Sequence, residues 1–137
     1  MKKLKSERGQ SLVELSISLL ILLYLLSGAV EFGIAFFQFV QLRDAAQEGA
    51  LYGSMNPVDP NPIIARVWGA SNSPIDLTTI TPVITYSNPA RKCEGESITV
   101  SLTFNHTVFM PFMSAIVGNT IPLNASVTDT ILSPVCP

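Results

Sequence analysis

The sequence predicts an α+β protein: a long N-terminal helix, apolar in its first half and amphipathic in its second, followed by a small domain built on an antiparallel β-sheet. Two observations carry this. All ten prolines of the 137 residues lie at or beyond Pro57, so Leu12 to Tyr52 can stay helical while the rest is punctuated by turns. The apolar period also changes, from helical spacing up to about Tyr52 to alternation beyond Ile80. The chain therefore divides into a basic leader over residues 1–9, a long helix over 10–53 and a domain over 54–137, with the boundary near Gly53 to Pro62.

The first half of the helix reads as a membrane span. Leu15 to Val30 carries no charge. A hydrocarbon core of roughly 30 Å needs about 20 helical residues, and the segment from about residue 12 to 33 supplies them. Glu14 is the anomaly, because a carboxylate at mid-membrane depth costs about 2.5 to 3.5 kcal/mol and is by default a functional residue. Ser27, Gly28, Ala29 and Gly33 form a patch of small residues. The patch is read either as a place of close packing or as simple tolerance of glycine in a span.

Met1 to Gly9 holds Lys2, Lys3, Lys5 and Arg8 against Glu7, three net positive charges, and the remainder of the chain is five net negative. Basic residues ahead of a span hold that end in the cytoplasm, which exports the C-terminal half. Three fates stand for the leader: a retained cytoplasmic tail, the start of an ordinary secretory signal cut near Ser27 to Ala29, or removal at Gly9 by a peptidase on the cytoplasmic side. The apolar run through Phe32, Ile34, Phe36, Phe37 and Phe39 weighs against the second.

From Glu31 the helix turns amphipathic. Gln38, Gln41, Asp44 and Glu48 mark its polar side, and Phe39, Leu42, Ala46, Gly49, Ala50 and Gly53 form the stripe that packs. Gly53 followed by Pro57 predicts its end. Glu31 itself falls at the outer interface, in a wetted place. Asn56 to Pro62 is expected to be an extended connector, neither helix nor strand, and Ile63 to Ala70 a short helix. Ile98, Val100, Leu102 and Phe104 alternate with polar residues, as do Ile121, Leu123, Ala125 and Val127, which predicts two half-buried strands; Ile80 to Ser87 is a weaker third. Phe109 to Val117 interrupts the two long strands. Two readings stand for it, a loop covering the core or a contact patch for another subunit.

Both cysteines, Cys93 and Cys136, lie in the half expected outside, where a disulfide is the natural state. The alternative is two unrelated thiols, one of them on a loose tail. His106 is the single histidine, and no cluster of cysteines or carboxylates accompanies it, so neither a metal site nor a catalytic triad assembles. No glycine-rich phosphate loop exists, nor any basic patch beyond the leader. An enzyme, a cofactor, a small-molecule substrate and a nucleic-acid partner are therefore not expected.

Three blocks carry a likeness: Arg8-Gly9-Gln10-Ser11-Leu12-Val13-Glu14, Val30-Glu31-Phe32-Gly33, and Ala45-Ala46-Gln47-Glu48-Gly49-Ala50-Leu51-Tyr52. Together they resemble the TadE-like pilin-related proteins of tight-adherence (Flp-type) pilus systems, closely over the first 55 or so residues and beyond that only in size and pattern. The family usually has Arg where this chain has Gln47. The resemblance implies a pilin-like fold, cleavage between Gly9 and Gln10 by a prepilin-type peptidase, and a minor pilin or pseudopilin that works with other pilin-like subunits and the assembly machinery of an adhesive pilus. It implies a single-pass protein with its N-terminus in the cytoplasm and its C-terminal domain outside, in the pilus or beside it. Glu14 would then pair with the new Gln10 amine of a neighbouring subunit. The rival reading is a signal-anchored or secreted adhesion or ligand-binding domain unrelated to a filament.

Overall fold

The computed structural model describes residues 7–110 and 112–136, without the side chains of Glu7 and Arg8; Lys2, Lys3 and Lys5 of the leader lie outside the described residues. The elements in order are helix α1 (Glu7–Met55), helix α2 (Pro60–Gly69), a 3-10 turn (Leu77–Thr79), strand β1 (Val83–Tyr86), strand β2 (Ser97–Thr107), helix α3 (Ser114–Val117) and strand β3 (Thr120–Thr130). This is the α+β arrangement the sequence predicts. The chain forms two compact units. One holds Ala35–His106 and Pro122–Pro137, the other the helix up to Ile34 with Thr107–Ile121.

The larger unit is organised by the three-stranded sheet, in the order β1-β2-β3. β1 and β2 are antiparallel, with Val83 opposite Ser101 and Tyr86 opposite Ile98. Between β2 and β3 a polar ladder crosses the exposed face: Thr99 meets Thr128 at 2.8 Å, Ser101 meets Ser126 at 2.9 Å, and Thr103 donates to Asn124 at 2.9 Å. Partner numbers fall as the others rise, so this pair is antiparallel as well. Alternation then sends Ile98, Val100 and Leu102 to the other face, where all three are buried.

That face packs against the small-residue stripe of α1. Leu42, Ala45, Ala46 and Ala50 are fully buried there with Ile63 and Val67 of α2. Burying each of the large aliphatic side chains contributes about 1.5 to 3 kcal/mol, and the alanines and glycines let the elements come close enough to do so. A Cβ on Gly49 would sit 2.5 Å from Val67 Cγ2, and one on Gly53 would run into Ile98 Cδ1. Gly53 is therefore not the helix terminator that the sequence suggests. α1 runs through it to Met55, because its lack of a side chain serves packing rather than a turn.

The segment 56–62 also differs from expectation. Only its first part is extended, and α2 begins at Pro60 with Asp59 as N-cap, its carboxylate accepting from the Asn61 N–H at 2.9 Å. Proline in a helix's first turn forfeits no hydrogen bond, since that N–H would have no intrahelical partner, and so Asp-Pro starts a helix here. The polar side of α1 divides similarly. Asp44 and Glu48 are exposed, but Gln41 is buried: its side-chain oxygen accepts from the Ile75 N–H at 2.9 Å, and its amide donates to the Ile75 carbonyl at 2.8 Å and the Ser71 carbonyl at 3.3 Å. Gln38 meets Nδ1 of buried His106 at 2.6 Å. The Tyr86 hydroxyl donates to the Pro57 carbonyl at 2.7 Å, and burial raises its pKa above the usual phenol range.

Cys93 and Cys136 form a disulfide with their Cα atoms 5.1 Å apart. Backbone bonds support it on both sides. The Glu94 N–H donates to the Pro134 carbonyl, the Gly95 and Glu96 positions exchange bonds with Ile131, and the Leu132 N–H donates to the Ser54 carbonyl near the end of α1.

Candidate functional site: the apolar helix and its buried acid

The smaller unit holds the residues to which the sequence assigns processing and assembly. Up to Ile34, α1 is apolar and open. Leu12, Leu15, Leu20, Leu22 and Leu25 are each more than half exposed, and the helix is long and apolar enough to cross a membrane. In water such a surface would be unstable; in lipid it is the required one.

Gly9 and Gln10 fall near the start of α1, which begins at Glu7. The first four N–H groups of a helix have no intrahelical acceptor, so a peptide bond there opens to an extended, cleavable form at less cost than one further in. Among the described residues nothing lies within 4 Å of where a Gly9 Cβ would be. Glu14 is exposed among Leu12, Val13, Leu15 and Ile17, and among the described residues its carboxylate has no ion-pair partner. The geometry of one chain thus sets Glu14 one turn beyond Gln10, on the open helix surface.

The second acid is different. Glu31 is only 3% exposed. Its Oε2 accepts from the Met110 N–H at 2.7 Å, and the Phe109 N–H is shared between Oε1 at 3.1 Å and Oε2 at 3.2 Å. A carboxylate holding two backbone N–H groups is a strong tie, about 1.5 to 3 kcal/mol per charge-assisted bond. The wetted surroundings that the sequence suggests for Glu31 are therefore corrected: the segment after β2 folds over it.

That segment lies along one face of the helix. Tyr24, Gly28 and Glu31 stand at intervals of four and three, which places them on one stripe. The Phe112 ring packs against the Tyr24 ring with centroids 5.5 Å apart, and the Met113 thioether and methyl come within 3.8 Å of where a Gly28 Cβ would stand. Gly28, from the small-residue patch, is thus a site of close packing. Of the two expectations for Phe109 to Val117, the contact patch for another subunit is not tested by a single chain; within its own unit the segment packs on the apolar helix.

Sequence reading missed the Glu31 tie because its partners are backbone N–H groups 78 and 79 positions away. One signal was present. Between Glu14 and Arg43, Glu31 is the lone charged residue, and a single acid in so apolar a stretch needs a partner. Elsewhere, among the described residues, no three His, Cys, Asp or Glu side chains gather as a metal site would require.

The model of a protein family described as TadE-like protein matches residues 9–51. The matched stretch begins at Gly9, includes Glu14 and Glu31, and ends within the packing stripe of α1; it takes in 43 of the 137 residues. No curated protein and no solved structure is similar enough to match the chain.

Proposed function

We propose that this chain is a pilin-like membrane protein, a minor pilin or pseudopilin, that contributes to the assembly of an adhesive tight-adherence pilus. Its role is structural rather than catalytic. The observation that carries the reading is the coincidence of the TadE-like segment with the apolar helix: the match starts at Gly9, where the basic leader ends, and runs along α1. In this reading the leader stays in the cytoplasm, a prepilin-type peptidase cuts between Gly9 and Gln10, and the C-terminal domain is outside the membrane. The Gln10 amine so created lies one turn from Glu14. Packed beside a second subunit, that carboxylate would pair with the neighbour's amine, which offsets its desolvation and fixes the axial register of the two helices.

The test is the N-terminus of the mature protein. Mass spectrometry of membrane-extracted chain from cells with an active prepilin peptidase is expected to show loss of residues 1–9. Replacing Gly9 with a bulky residue is expected to retain them. A mature start at Met1 or at Val30 would instead favour an anchored or secreted adhesion domain unrelated to a filament.

A further inference from the structure

The loop between β2 and β3 is apolar, uncharged and open. From Ser97 to Thr128 the sequence contains no Asp, Glu, Lys or Arg. Within it Phe109 is 79% exposed, Phe112 64% and Ile116 70%. A soluble domain rarely leaves so many large apolar side chains together in water.

Three features of the loop say what covers them. It packs on the helix that is long and apolar enough to cross a membrane, and it reaches inward along that helix: Phe112 touches Tyr24, seven residues before Glu31, a distance of about 10 Å at 1.5 Å per residue. Six of its backbone donors, at its two ends, are bonded within the chain. The Val108 N–H donates to the Asn119 carbonyl, Phe109 and Met110 donate to Glu31, Ile116 and Val117 donate to the Met113 carbonyl, and Gly118 donates to Ser114. Each donor so bonded removes one of the costs of entering hydrocarbon. Phe112, finally, has a φ of 74°, a conformation costly for a bulky residue, and in it the ring lies on the apolar helix.

We propose that residues 108–110 and 112–118 form a membrane-seated wedge, with Phe109, Phe112 and Ile116 among the acyl chains of the leaflet at the Glu31 end of the span. Glu31 is its anchor: the carboxylate holds the loop's entry and is itself kept from lipid by the loop. The wedge makes the chain's hold on the membrane two-legged, a helix and a hairpin tip side by side. The inference rests on the reading of α1 as a span.

The experiment reconstitutes the full chain in phosphatidylcholine vesicles containing lipid with brominated acyl chains, a contact quencher of tryptophan. Trp68 is replaced by Phe, and a single tryptophan is placed by Ile116→Trp, by Phe109→Trp, or by Leu20→Trp as a reference within the span. All three sites are exposed in the single chain, so the substitutions add no strain. The expected result is quenching of the Ile116→Trp and Phe109→Trp probes to at least half the extent of the Leu20→Trp probe, with little quenching by aqueous iodide. The proposal is overturned if the Leu20→Trp probe is quenched by bromolipid while both loop probes are quenched by iodide instead. It is also overturned if the loop probes are shielded from both quenchers only at high protein-to-lipid ratio, which would mean that a second copy covers them. An unquenched Leu20→Trp probe would remove the span and the wedge with it.

Discussion

Replacing Glu31 with alanine isolates the tie between the loop and the helix. The change removes the acceptor of the Phe109 and Met110 N–H groups. A buried donor without a partner costs about 1 to 3 kcal/mol, so two cost about 2 to 6. Phe109 is open enough for solvent or detergent to relieve part of this, which sets the expected loss near the lower half, about 2 to 4 kcal/mol. Because every 1.4 kcal/mol is a factor of ten, the Phe109 and Met110 amides should exchange with deuterium roughly 30- to 700-fold faster than in the parent chain. Glu31→Gln keeps one acceptor oxygen but loses its charge, and should show roughly a tenfold effect. Residue-resolved exchange by NMR in the same micelles for all three proteins measures this. The Gly118 amide, bonded to Ser114 within α3, serves as the internal control and should change little. Unchanged protection of Phe109 and Met110 in Glu31→Ala would show that the carboxylate does not hold the loop.

The other expectations concern separate parts of the chain. Under the proposed pilin assembly, Glu14→Gln should leave membrane insertion intact or improved yet reduce pili, because it would leave one member of the proposed charge pair alone at roughly 3 to 5 kcal/mol per contact; co-purification with the pilus machinery and pili counted by microscopy decide it, and normal pili would remove the pairing. Gly53→Leu should lower the stability of the sheet-bearing unit by about 1 to 3 kcal/mol or more, as the new side chain meets Ile98 and Ile63, whereas Gly69→Ala, with nothing within 4 Å, should not; thermal unfolding followed by circular dichroism compares them. Opening the disulfide by Cys93→Ala and Cys136→Ala should cost on the order of 4 kcal/mol for a closed loop of this length, and thiol reagents should label neither cysteine of the unreduced parent; free labelling of both would refute the bridge.

What could be read from the sequence is what short-range periodicity encodes. The alternation at Ile98, Val100 and Leu102 and the stripe through Leu42, Ala46, Gly49 and Ala50 each declare a buried face without reference to any partner, and both faces are buried as read. Pairings across long separations were not legible. Gln38 with His106 and Gln41 with Ile75 join residues 68 and 34 apart, and both glutamines look like solvated positions when only their own helix is considered. Gly53 shows how a residue with two physical uses misleads: freedom at a helix end and room for a neighbour look identical in sequence. Asp59-Pro60 was a legible N-terminus signal that the density of prolines around it obscured. For Glu31, the loneliness of its charge pointed to a partner but not to which one.

The disulfide also has a mechanical meaning. Cys93 lies between β1 and β2 and Cys136 beyond β3, 43 positions apart, so β2 and β3 lie wholly inside the covalent loop. If the chain were pulled by its two ends, the residues between the cysteines would bear no tension. At roughly 3.5 Å per extended residue, about 150 Å of contour length stays hidden however hard the chain is stretched. Tension arriving along α1 can straighten α2 and detach β1, but the two longest strands are bypassed. The central and outer strands, with their ladder of Thr, Ser and Asn, would keep facing one another under a load that unravels everything before them.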